Sequence, residues 1–141
     1  MKLLSANDET LGILLGMNPS IATVFIPSLQ KMMTISATSG ENTLLAFDVF
    51  FTEPGCAGSP FAIPGQNYHT FIMTSRIGSE SVNQHYLISQ QTESVHVRSL
   101  RHASSPYNCE STDQTDMFQS LTPVALPFTY PVALPLHLEY E

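Results

Sequence analysis

The sequence predicts an all-β protein, and three observations carry that prediction. Gly or Pro punctuates almost every stretch, which leaves no room for helical periodicity. The apolar residues come in short runs or in strict alternation, the pattern of strands with one buried face. The closing stretch PVALPFTYPVALPLHLEY then puts an apolar side chain at every even position from Val124 to Tyr140. The architecture expected is an antiparallel β-sandwich or jelly-roll-like domain with an extended, proline-spaced C-terminal strand. At 141 residues the chain fits a single β domain, with residues 1–122 as its body and 123–141 as the terminal strand.

Taken in order, the strands expected are Leu11 to Met17, Ala22 to Ile26, Lys31 to Ser36, Leu44 to Thr52, Tyr68 to Ser75, His85 to Ser89 and Ser94 to Leu100. Each is an apolar or β-branched run bounded by turn formers. Gly58-Ser59 and Gly78-Ser79 read as turns. Arg101 to Gln119 is rich in Ser, Thr, Asp, Asn and Gln, with few apolar residues around Cys109, and reads as a long surface loop.

In the C-terminal stretch Val124, Leu126, Phe128, Tyr130, Val132, Leu134, Leu136 and Leu138 share one face, while Pro123, Pro127, Pro131 and Pro135 fall on odd positions. Proline has no N–H, so all four remove donors from the same edge, and that edge cannot form a normal ladder. A straight strand of this length would span about 55 Å, against about 37 Å for a compact domain of this size. The segment therefore either bends at Pro127 or Pro131 and wraps its own domain, or leaves it to lay its apolar face on a neighbouring subunit. Intersubunit packing is the expectation adopted, with these eight apolar residues as the oligomer interface and a trimer as the favoured homo-oligomer.

Charged residues are 12% of the chain against 43% hydrophobic, and the formal net charge is −7 with five basic residues. No two of those (Lys2, Lys31, Arg76, Arg98, Arg101) are adjacent, which argues against nucleic acid and anionic membranes as partners. No apolar run is long enough for a membrane-spanning helix, and Asp8 and Glu9 interrupt any signal-peptide layout at the start. Cys56 and Cys109 are the only cysteines. One disulfide between them would add about 4 kcal/mol by loop-closure entropy; the alternative is a pair of buried thiols in a reducing compartment.

The stretch FDVFFTEPGCAGSPFA, Phe47 to Ala62, has an aromatic strand, then Cys, a small residue, Gly, a polar residue and an aromatic. It resembles the "lyf-x-x-x-x-C-t-G-x-p-y" signature of the β-rich globular domain that follows a collagen-like stalk in bacterial surface proteins and phage tail fibres. NDETLGILLG is similar to that family's "d-x-n-G-x-x-l-G" opening, and VFIPSLQKMMTISATSGE to its "v-f-x-p-s-l-x-x-f-v-x-i-d-x-x-t-G" hairpin. A second Cys and the closing LPFTYPVALPLHLEY also fit, so the resemblance covers most of the chain. It departs at Asn7-Asp8-Glu9, where the glycine of the usual opening turn is missing. What the resemblance implies is a β-rich, trimeric tip domain outside the cell, on the cell surface or on a virion, with no known activity.

Histidine is the residue type with most chemical scope, at positions 69, 85, 96, 102 and 137, but none pairs in H-x-x-x-H spacing and none joins the cysteines in a zinc-ligand pattern. The G-x-S-x-G elbow and both phosphate-cradling glycine patterns are absent. The sequence thus points to no catalytic residue, no metal and no cofactor. Glu110, Asp113 and Asp116 lack the 1-3-5 spacing of a calcium loop and read as solvated charges. In ESVHVRS, alternation puts His96 and Arg98 on the solvent face of a strand and Val95 and Val97 on the other. Those two, with Tyr107 and Asn108 in the polar loop, are the candidate ligand contacts for a glycan or a cell-surface receptor. Tyr68 and Tyr86 read as core or cross-strand residues. The function expected is a non-catalytic structural or adhesive tip, or a trimerisation domain, of a fibre; the alternative is a lectin-like glycan- or receptor-binding module, with a small hydrolase the least favoured reading.

Overall fold

A computed structural model describes residues 1–45, 48–65, 68–77, 82–104 and 106–140. Residues 46 and 47 of the expected Leu44 to Thr52 strand, among them the Phe47 that opens the aromatic motif, and the Gly78-Ser79 turn lie outside these. The all-β antiparallel class is what the structure has. None of the described residues is helical, and the strands form two five-stranded sheets of antiparallel pairs. The chain divides into two compact units: Met1–Leu44 with Thr70–Ile72 and Ala125–Glu141, and Leu45–His69 with Met73–Val124.

The first unit holds β1 (Lys2–Leu4), β2 (Thr10–Met17), β3 (Ile21–Ile26), β4 (Lys31–Ser36) and, from the far end of the chain, β10 (His137–Glu139). Their order in the sheet is β10-β1-β2-β3-β4. β3 alternates as its sequence predicts, with Ala22, Val24 and Ile26 buried and Ile21, Thr23 and Phe25 half-buried. Each fully buried aliphatic side chain of this kind contributes about 1.5–3 kcal/mol. In the turn before β2, Ser5 is buried and its hydroxyl accepts from the Asn7 and Glu9 N–H groups, at 3.2 Å each. Asp8 takes a left-handed φ of 63° there, a conformation that Asp tolerates better than most non-glycine residues.

The second unit holds β5 (Val49–Glu53), β6 (Ala57–Ala62), β7 (Met73–Ile77), β8 (Val82–Arg101) and β9 (Cys109–Val124), ordered β5-β6-β9-β8-β7. β5 pairs with β8 as well as with β6, and β6 pairs with β9 at Phe61↔Ser120 and Ala62↔Gln119, so β5, β6, β9 and β8 close into a ring. Phe50, Phe61, Val97 and Phe118 form its apolar cluster, with Val95 and Leu100 packed against it. The rings of Phe50 and Phe118 lie 5.0 Å apart, within the range of favourable aromatic pairing.

Two expectations are corrected. The loop expected from Arg101 to Gln119 is largely strand, because β9 begins at Cys109 and pairs with β8 from Arg101↔Cys109 to His85↔Val124. β9 is exposed over nearly its whole first half, so its sequence needs no apolar alternation and its backbone groups are satisfied by the ladder. The C-terminal stretch, in turn, is not one extended strand. Residues 125–136 are in no strand, and the Tyr130–Pro131 and Leu134–Pro135 peptides are cis.

That stretch folds back within the first unit. Of its even-position side chains Phe128 and Val132 are buried, only 7% and 3% exposed, those at 124, 126, 130, 134, 136 and 138 are half-buried, and Tyr140 is 74% exposed. The prolines remove four of the odd-position donors, and donors between them remain in use: Thr129 N–H donates to Glu9 Oε2 at 3.1 Å and Val132 N–H to Gly40 O at 2.8 Å. Gly40 has φ 73°, and a Cβ there would lie 2.1 Å from the Val132 carbonyl oxygen, so this approach requires glycine. The Ala6 N–H donates to Ala133 O at 2.9 Å, and β10 completes the docking by pairing with β1.

Candidate functional site

The β8–β9 hairpin builds a cleft on its outward face. Val97 points into the apolar cluster and is fully buried, so period-2 alternation puts its neighbours His96 and Arg98 outside, where both are exposed. The register then slips: Val97 pairs with Gln114 but Ser99 pairs with Ser111. Thr112 and Asp113 together therefore stand opposite Arg98. A bulge of this kind bends the strand and re-aims side chains that a regular ladder would hold in line.

The opposite wall is the turn between β5 and β6. The buried Ser99 hydroxyl donates to Glu53 O at 2.6 Å and accepts from Cys56 N–H at 2.8 Å. The Cys56–Cys109 disulfide ties the same turn to the first residue of β9. Pro54 is held between these fastenings. The resulting cleft, of about 330 Å³, is lined by Pro54, His96, Arg98, Ser111, Thr112 and Asp113.

The charges in it are unevenly satisfied. His96 donates from Nε2 to Asp113 Oδ1, and that hydrogen bond, then the His96 charge and to a lesser extent Arg98, hold the Asp113 carboxyl below the usual range against a small desolvation effect. Arg98 is in no hydrogen bond or ion pair among the described residues. A second pair, His102 Nε2 to Glu110 Oε2 at 2.6 Å, stands further along the same hairpin. The cleft therefore offers a guanidinium fork, a carboxylate with one oxygen engaged, two hydroxyls and a proline ring. This donor set suits a polar ligand carrying an acceptor group. No group of three or more His, Cys, Asp or Glu among the described residues is placed to hold a metal ion.

The four candidate ligand contacts do not converge. His96 and Arg98 share the cleft, whereas Tyr107 and Asn108 lie in the β8–β9 connection. There Arg76 Nη1 donates to the Tyr107 hydroxyl at 3.3 Å, and Asn108 O accepts from His102 N–H at 3.1 Å. Tyr86 is buried, as expected of a core residue. Of the C-terminal residues named as an interface, Val124 ends β9 in the second unit, and the other seven belong to the first unit, where Tyr130 also accepts from Asn42 N–H at 2.9 Å through its hydroxyl. Sequence reasoning did not find Pro54, Ser111, Thr112 and Asp113 as site residues, since a turn and a bulge bring them there. The one signal available was a Pro-Gly-Cys turn whose disulfide partner lies just before Ser111.

Compared with protein-family models, with curated proteins and with solved structures, the chain shows no match.

Proposed function

We propose that this chain is a non-catalytic adhesive domain of an extracellular or virion fibre, and that it recognises its target through the cleft between the β5–β6 turn and the β8–β9 bulge. The observation that carries this reading is Arg98, in no hydrogen bond or ion pair among the described residues, at a bulge whose facing wall is fastened by a disulfide and by Ser99. Rigid scaffolds that present polar side chains at irregular backbone are the usual form of a binding site. The disulfide fits an oxidising compartment outside the cytosol, and the motif resemblance around Phe47 to Ala62 points to the same setting. A glycan array probed with the non-reduced protein tests the reading. It should give discrete hits that Arg98→Ala and Asp113→Asn both abolish; hits that survive both substitutions would place recognition elsewhere.

Assembly is the second reading, and a separate observation favours it. Ile13, Leu15 and Met17 on β2 are 44%, 54% and 49% exposed, a run of uncovered apolar side chains that a homo-oligomer, with a trimer favoured, would shield from water.

A further inference from the structure

We infer that the cleft takes the carboxylate of an acidic sugar, a sialic or uronic acid residue, on Arg98. The inference rests on the recognition reading above and names its ligand class. Arg98 is permanently charged, exposed and in no hydrogen bond or ion pair among the described residues, while the neighbouring carboxylate, Asp113, already accepts from His96. A free guanidinium fork binds planar anions by two parallel N–H···O bonds, which a carboxylate matches.

The rest of the cleft narrows the choice. Asp113 stands opposite Arg98 across the bulge, and the chain carries a formal −7; both disfavour a dianionic phosphate or a polyanion, and a single carboxylate keeps the repulsion low. Ser111 and Thr112 bring hydroxyls, and the second oxygen of Asp113 is an acceptor. Those groups pair with the hydroxyls that surround the carboxylate of an acidic sugar, whereas the lining offers an apolar peptide side chain only the Pro54 ring. That ring suits the C–H face of a pyranose. A cleft of about 330 Å³ is at the small end of ligand sites, a size for one or two sugar rings.

Titration calorimetry on the full, non-reduced chain decides the matter, with the methyl α-glycoside of N-acetylneuraminic acid, methyl glucuronide and methyl glucoside as probes. At least one acidic glycoside should bind about tenfold or more tighter than methyl glucoside, an advantage that Arg98→Ala removes and that Arg98→Lys, which keeps the charge and loses the fork, mostly removes. Arg98 points outward, so each variant should melt at the wild-type temperature. Acidic and neutral glycosides binding equally, with Arg98→Ala silent, would overturn the acidic-sugar assignment and leave the recognition reading standing. No binding of any glycoside, together with a blank array, would overturn both.

Discussion

His85 is packed against Thr74, its Nδ1 2.8 Å from the threonine hydroxyl, and its ring is almost wholly shielded from water. Burial disfavours the charged imidazole and lowers the His85 pKa below its ordinary 6.5. In the folded chain the ring therefore resists a proton that the unfolded chain accepts. The stability tied to His85 is fully present above pH 6.5 and is lost as the pH falls from there toward the folded value. Melting temperatures across this window should fall for the wild type and fall less steeply for His85→Gln. Equal slopes would mean that His85 titrates alike in both states. The contrast with His96 is one of position, since His96 is exposed on the cleft rim and holds Asp113.

Among the elements, the β5–β6 turn and the start of β9 are where stability and recognition meet. The Cys56–Cys109 bridge closes a loop with a sequence separation of 53, for which the chain-entropy model gives about 4 kcal/mol, a large part of a typical margin of about 5–15 kcal/mol. Cys56→Ser with Cys109→Ser should lower the melting temperature markedly and should also weaken ligand binding, because Pro54 loses one of its two fastenings. Full affinity at a temperature where the variant is still folded would show that Ser99 alone suffices to hold the wall. How far each element could be read in advance follows its burial. β3 and β4 were legible because one face is buried and period 2 is imposed on the sequence. β9 was not, since polar residues occupy both of its faces from Glu110 to Asp116. β8 was read as two strands because the polar Gln90 to Glu93 stretch falls at its first register slip, between Ile88 and Thr92. The outward placement of His96 and Arg98 follows from alternation, but Asp113 comes into reach only through a bulge, which leaves no mark in the local pattern.

For the whole molecule, the C-terminal stretch bears on assembly. Its apolar period was legible, yet its four prolines rule out a normal ladder along one edge, and the chain meets the burial of Phe128 and Val132 within the first unit. If the protein assembles, β2 is then the better surface, through Ile13, Leu15 and Met17. Light scattering on the non-reduced protein should report a trimer that Leu15→Glu converts to monomer without lowering the melting temperature. A trimer indifferent to Leu15→Glu would return the interface to another surface, and a monomer at all concentrations would leave adhesion as the sole role.

The measurement that tests the central claim most directly is a map of backbone amide shifts in the isotope-labelled, non-reduced chain, titrated with the strongest glycan from the array. The cleft account predicts that the shifted amides cluster at 53–56, 96–98 and 111–113 and that Arg98→Ala removes the pattern. Shifts gathered on β2, or on the Tyr107–Asn108 connection with 96–98 unmoved, would contradict it.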